Sequence, residues 1–301
     1  MIRIITDSVA SMPAEVARQL HIDVLSMHMY WKGADYVDAE MDVDAFYERI
    51  HEMVDDIPSS SQPSVGDAES LLEGAAKHGD DVLGVFISSK MSGTFETISR
   101  AARAVKDRYA DFSYALVDST SNSFEEAFAA FNACAVRDAG GTLEQCAQAM
   151  LDTVSRTRWL FTPESLRFLR ANGRIGRASA LLGSLVKICP VLTVKDFETS
   201  TFAKVRTQAK ALARIADKFD EDVRRYGLAN VVVHYIGDKA PALKWAHETI
   251  EPLAGREVDV IPVSPVIGVH VGPALGIIYE CTQKIDGKFS GKPDELVACS
   301  N

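Results

Sequence analysis

Short apolar runs alternate along this chain with stretches in which apolar residues recur every three or four positions. Residues 2–6 form an apolar run closed by Thr6-Asp7-Ser8, and Pro13 opens a helix to about Leu20, since proline suits the first helical turn. Residues 24–30 predict a second strand with His28 inside it, and the acidic stretch 32–42 predicts a loop. Phe46, Ile50 and Met53 share one face of the next helix, whose acidic start at Asp42 and Asp44 suits the positive end of the helix dipole. In Pro58-Ser59-Ser60-Ser61-Gln62-Pro63-Ser64 the prolines exclude helix and predict a stiffened, hydroxyl-rich loop. Residues 82–87, rich in β-branched side chains, read as a buried strand, and Phe95, Ile98 and Ala102 then recur at helical spacing. Residues 114–117 predict a strand ending in Asp118-Ser119. Ser123 begins a helix to about Ala139, Gly140-Gly141 breaks it, and Thr142 starts another with Leu143, Cys146, Met150 and Val154 on one face.

Strand–helix alternation over residues 1–158 predicts a parallel α/β sheet. In such sheets ligands sit beyond the carboxyl ends of the strands, where Thr6-Asp7-Ser8, the turn at 88–94 and Asp118-Ser119 would project together. The pattern then changes. Strands are predicted at 159–162, 189–194, 231–235, 257–263 and 275–279, and helices at 163–170, 181–186, 207–226 and 241–253. A Pro/Gly/His loop is expected at 264–273, and a Gly/Lys/Ser-rich tail from Asp286 is expected to fray. The expectation is therefore two domains, an α/β domain over 1–158 and an α+β domain over 159–301.

With 47% hydrophobic residues the 301-residue chain can build a sizeable core, and its formal net charge of −10 disfavours nucleic acid, whose phosphates need a basic face. Cys134, Cys146, Cys189, Cys281 and Cys299 are scattered without a CxxC pair and read as free thiols in a reducing compartment. Strand-like sequence follows Met1 directly, and no apolar run reaches transmembrane length. A cytoplasmic protein with no stable membrane insertion is expected.

Candidate chemistry concentrates on Ser88-Ser89-Lys90-Met91-Ser92-Gly93-Thr94. A Ser/Gly turn between strand and helix gathers backbone N–H groups and hydroxyls at the positive end of the helix, which suits an anion. The alternative is that Ser92 merely caps the helix. A serine nucleophile has little support, because Gly-x-Ser-x-Gly is absent and His270 has no identifiable acid partner. Walker, GxGxxG and HExxH patterns are absent as well. Glycines on both sides of His270 imply close backbone approach. Arg174, in Asn-Gly-Arg-Ile, is either a cation closing a helix or a functional one.

Taken in order, the chain resembles the DegV family. The matching pieces are Thr6-Asp7-Ser8; Ser60-Ser61-Gln62-Pro63-Ser64; Ser88 to Thr94; Val117-Asp118-Ser119; Asn172-Gly173-Arg174-Ile175-Gly176; Lys187-Ile188-Cys189-Pro190-Val191-Leu192; Val205-Arg206-Thr207; and Ser264 through Pro273. The resemblance implies a fatty-acid-binding subunit of a bacterial fatty acid kinase. Such a protein holds a long-chain fatty acid and presents its carboxylate to a separate ATP-dependent kinase, which makes the acyl phosphate. The chain itself would then have no catalytic residue and no cofactor apart from the bound acid. Carboxylate-binding hydroxyls of the family match Ser60 and Ser92, with Gly93 beside them, and its histidine matches His270. Ser61, Thr94 and Arg174 fall at the lipid site or on the kinase-facing side. Two positions depart from the family pattern: Ser60 stands where threonine is common, keeping the hydroxyl, and Asn172 where glycine is common, still tolerating a left-handed turn.

The physics of such a ligand is consistent with this. Burying each CH₂ is worth about 0.8 kcal/mol, so about 14 methylenes supply roughly 11 kcal/mol before ordering costs. The buried head must still meet donors, because an unpaired carboxylate in an apolar slot is very costly. A free-standing serine hydrolase or transferase, and a lipid-sensing regulatory protein, are the alternatives.

Overall fold

A computed structural model describes residues 1–182, 188–288 and 296–300. The first half runs β1 (Ile2–Asp7), α1 (Ala14–Gln19), β2 (Ile22–Leu25), β3 (His28–Trp31), β4 (Ala34–Val37), α2 (Val43–Tyr47), β5 (Ser59–Ser61), α3 (Val65–His78), β6 (Asp81–Phe86), α4 (Thr94–Arg108), β7 (Tyr114–Asp118), α5 (Phe124–Asp138) and α6 (Leu143–Arg156). It continues β8 (Thr157–Pro163), α7 (Arg167–Ala171), β9 (Cys189–Lys195), β10 (Glu198–Val205), α8 (Gln208–Tyr226), β11 (Leu228–Ile236), α9 (Lys239–Trp245), α10 (Glu251–Ala254), β12 (Asp259–Pro262), α11 (Pro265–Val271), β13 (Ala274–Cys281) and β14 (Val297–Cys299). The fold is α/β.

Strands β7, β6, β1 and β2 lie side by side and all parallel. Helices cover both faces, which is why β6 and β7 are apolar through their centres rather than alternating. Ile4, Leu83 and Val117 face α5 and α6 through Ala133, Cys146 and Met150. Ile5, Val82 and Leu116 face α3 and α4 through Leu72, Ile98 and Ala102.

The second sheet, in the order β10-β9-β8-β13-β11-β12, is antiparallel except where β11 meets β12. Helix α8 covers one face with Ala211, Ile215 and Phe219. The other face presents Trp159, Phe161, Leu192 and Ile278 to Phe124 and Phe128 of α5 and to Val266 and Ile267 of α11. A shared apolar core thus lies between the two sheets.

Several expectations change. The strand expected at 24–30 splits, with β2 ending in the first sheet and β3 starting a separate three-stranded sheet in the order β4-β3-β5. The expected loop at 32–42 holds β4, because Lys32 and Gly33 both take positive φ, 50° and 79°, and close a two-residue hairpin. The expected loop at 58–64 contains β5. Its prolines flank the paired residues, so Ser59–Ser61 can add to β3 as an edge strand.

The expected loop at 264–273 is α11, with Pro265 in its first turn and Val266, Ile267 and Val269 buried. Gly268 allows that helix to seat on α2, since a Cβ there would lie 2.3 Å from the Tyr47 hydroxyl. The helix expected over 163–170 begins only at Arg167, because Pro163 still pairs with Ala274. The helix expected at 181–186 lies largely outside the described residues, as does Lys187. The tail expected to fray is described only in part, and there Val297–Cys299 pairs antiparallel with β7. Among the described residues, no helix is long and apolar enough to cross a membrane.

Candidate functional site

Parallel strands deliver their carboxyl ends to one edge, and the acidic residues there fix the Ser/Gly turn. Asp7, closing β1, accepts from the backbone N–H groups of Val9 and Ile87, both at 3.1 Å. Asp118, closing β7, accepts from the N–H of Ser89 at 3.2 Å and of Thr120 at 2.8 Å. Ser88 N–H donates to the Ser121 carbonyl at 2.8 Å. The turn then enters α4 with Gly93, which has no side chain, at the cap position. Ser92 stands just before it. Its Oγ accepts from Thr94 N–H at 3.3 Å and lies 2.8 Å from Thr94 Oγ1, and it lines a cavity.

That cavity has a volume of about 320 Å³, at the lower end of small-ligand sites. Its polar side gathers Ser60, Ser61, Gln62, Ser92, Arg174 and His270; its apolar side is Met27, Ile87, Met91, Leu169, Ile267 and Val271. Gly93 is also at its wall, in a close approach: a Cβ there would lie 2.3 Å from Gln62 Oε1. Gln62 Nε2 in turn donates to Thr97 Oγ1 at 2.5 Å.

His270 Nε2 and Ser60 Oγ are 2.8 Å apart, joining α11 to β5 across 210 positions of sequence. His270 Nδ1 is buried and has no partner among the described residues. Burial, and then the charge of Arg174, push the His270 pKa down to about 4, so the imidazole is neutral near pH 7. With its proton on Nε2 it donates to Ser60 Oγ and frees the Ser60 hydroxyl proton for a ligand. Arg174, exposed at the rim, donates through Nε to the Met91 carbonyl at 3.2 Å and through Nη1 to the Asn172 carbonyl at 2.7 Å. The fixed positive charge at the cavity is therefore Arg174, aided by the amino end of α4. Thr94 stands apart: it is fully buried, does not line the cavity, and reaches it only through Ser92.

The family model described as "Uncharacterised protein, DegV family" matches residues 1–282. The chain belongs to the DegV family. A DegV domain-containing protein of Clostridium acetobutylicum is 37% identical over 279 residues, 92% of this chain and 97% of that protein. Among solved structures, a DegV family protein of Thermus thermophilus described by its fatty acid binding superposes with a TM-score of 0.80 at 26% identity, over 93% of this chain and 99% of that one. DegV of Bacillus subtilis, described as a fatty acid binding protein, gives a TM-score of 0.81 at 28% identity with the same coverage.

Two features of this DegV family chain escaped the sequence reading. Asn122 lines the cavity although it is 4% exposed, because the whole loop 119–123 is buried. Its composition, Ser-Thr-Ser-Asn-Ser, gives the opposite signal, that of a solvated turn. Beneath the Ser/Gly turn, Asp7 and Glu126 are both fully buried and interact. Burial, opposed by the two backbone donors and reinforced by the charge of Asp38, raises Asp7 to about 7. Burial, and then the charges of Asp7 and Asp118, raise Glu126 well above the usual carboxylate range. Two such neighbouring buried groups disfavour ionising together.

Proposed function

We propose that the cavity binds the carboxylate of one long-chain fatty acid. The observation that carries this reading is the Ser60–His270 hydrogen bond, which places a hydroxyl and an imidazole from opposite ends of the chain beside Ser92 and an apolar wall. Ser60 and Ser92 donate to the two carboxylate oxygens, while Gly93 lets the chain approach the amino end of α4. Arg174 supplies the counter-charge from the rim, where hydrogen bonds to an ionised acceptor are the stronger kind. The alkyl chain leaves past Met27 and Ile267 toward the core between the sheets, where unbranched methionine side chains can give way. The fatty acid binding described for the Thermus thermophilus and Bacillus subtilis relatives supports the same ligand class.

Binding is favoured over acyl transfer by the hydrogen bonds of the two serines. Ser92 engages Thr94, and His270 lacks an acid on Nδ1 among the described residues, so the orienting third member of a nucleophile–base–acid set is missing. In this reading a separate ATP-dependent kinase docks over Arg174 and phosphorylates the bound acid. Mass spectrometry of an organic extract of the purified protein tests the ligand. About one long-chain fatty acid per protein is expected; a short polar acid, or no acyl chain after incubation with one, refutes it.

A further inference from the structure

The family match ends at residue 282, yet described residues beyond it are packed into the fold. Ile285 joins the core under the second sheet, Leu296 the core under the first, and β14 pairs with β7. Among the described residues of this segment, Lys288 is the charged one that goes inside. Its Nζ lies 2.6 Å from Glu125 Oε1 and donates to Thr157 Oγ1 at 2.5 Å, and its carbonyl accepts from Asp196 N–H at 3.2 Å. Glu125 stands in the first turn of α5, Thr157 opens β8, and Asp196 lies in the turn between β9 and β10. One residue thus ties helix α5 to two segments of the second sheet.

These ties lead to the cavity by two routes. Glu125 Oε2 accepts from Ser121 Oγ, and the Ser121 carbonyl holds Ser88 N–H at 2.8 Å. Ser121 belongs to the loop that carries Asn122 into the cavity wall. Thr120 and Ser123 in that loop take φ of 58° and 60°, left-handed values that persist in such residues only when the surroundings impose them. On the second route, the β9–β10 turn engaged by Lys288 also accepts from Ser88 Oγ at the Phe197 carbonyl, 2.8 Å, and from Lys90 Nζ at the Asp196 carbonyl, 3.4 Å.

We infer that Lys288 is a positioning residue for the head-group end of the cavity, acting through Glu125 and Ser121 on the strained loop and on the Ser88 end of the turn. This rests on the fatty-acid reading above. Without Lys288, Glu125 is a buried carboxylate stripped of its ion-pair partner, which must take up a proton or draw away. Either change alters its bond to Ser121, and the strained loop relaxes.

The test is binding of cis-parinaric acid to delipidated full-length protein, with thermal unfolding measured alongside. Lys288→Met is expected to weaken binding at least fivefold. Glu125→Gln with Lys288→Met leaves no unpaired charge and still offers Ser121 an acceptor, so binding should return to within twofold of wild type. Ile285→Ala, on the same segment but under the second sheet, should lower the melting temperature and leave affinity within twofold. Should Lys288→Met not fold, Ser121→Ala cuts the same route with the ion pair intact and should also weaken binding at least fivefold. Binding within twofold of wild type in Lys288→Met, a double variant no better than the single, or an equal affinity loss in Ile285→Ala overturns the inference. Wild-type protein that takes up no parinarate overturns the fatty-acid reading itself, and this one with it.

Discussion

Replacing Ser60 by alanine separates two roles of one hydroxyl. The Ser60 oxygen is the partner of His270 Nε2, and Nδ1 already has none among the described residues. Ser60→Ala therefore leaves a buried imidazole with neither nitrogen paired, at a cost of about 1–3 kcal/mol in folding stability. The pairing of β5 with β3 is a backbone matter, Ser60 opposite Met29, and survives the change. Ligand binding suffers separately, because a hydrogen bond to an ionised group is worth about 1.5–3 kcal/mol, or roughly ten- to a hundredfold in affinity. Ser60→Thr keeps the hydroxyl and should bind within about threefold of wild type by the same reasoning. Urea unfolding gives the first quantity, and titration of delipidated protein with cis-parinaric acid near neutral pH gives the second. If Ser60→Ala binds as tightly as wild type, the hydroxyl does not meet the carboxylate. If Ser60→Thr loses as much as Ser60→Ala, space rather than hydrogen bonding governs the position.

Gly93→Ala pushes Gln62 off Thr97, costing one hydrogen bond, about 1 kcal/mol, and drives its side chain into the cavity; parinarate affinity should fall several-fold, and an unchanged titration would show that Gln62 moves freely. Arg174→Glu should reduce phosphorylation of the bound acid by a kinase at least tenfold while mass spectrometry finds lipid retention little changed, and the reverse ranking argues against docking at that rim. Asp7, raised from 3.8 to about 7, holds its proton more tightly folded than unfolded. Its contribution is therefore complete below the unfolded value and is lost as pH rises through 7, by up to about 4 kcal/mol. Melting temperatures should fall from pH 6 to pH 8, and Asp7→Asn, which cannot ionise, should lessen that fall; an undiminished fall would place its origin elsewhere. His234 and His270, both depressed to about 4, act in the opposite direction, their stabilisation being lost as pH drops from 6.5 toward 4.

The first sheet is legible in the sequence because both of its faces are covered. A run such as Val82 to Phe86 must be apolar at every position, and it stands out against the helices on either side. Edge strands lack that signature. Three serines between two prolines carry no apolar alternation, so β5 appears only once β3 is there to pair with it. Helix α11 was hidden by its proline and glycines, which here start the helix and admit Tyr47 rather than break it. The residue types of the site could be picked out one motif at a time. Their convergence could not, since Ser60 and His270, 210 positions apart, are brought together only by the packed fold. Asn122 and the Asp7–Glu126 pair were invisible for a different reason: polar residues predict solvent, and only the packed structure shows them enclosed.

Strand β14 has a consequence for how the chain is made. Every parallel strand of the first sheet has been supplied by residue 118, but among the described residues the outer edge of β7 is paired only by residues 297–299. At about 5–20 residues per second, a ribosome needs roughly ten to forty seconds to cover that distance. Throughout it, an apolar strand offers free backbone groups to any neighbour, the situation in which sheets recruit foreign strands. Nascent chains close together on one messenger are the nearest such neighbours. A chain that stops soon after residue 282 keeps the edge open permanently, and should exchange strands and aggregate even though every strand of its far sheet is complete by Cys281.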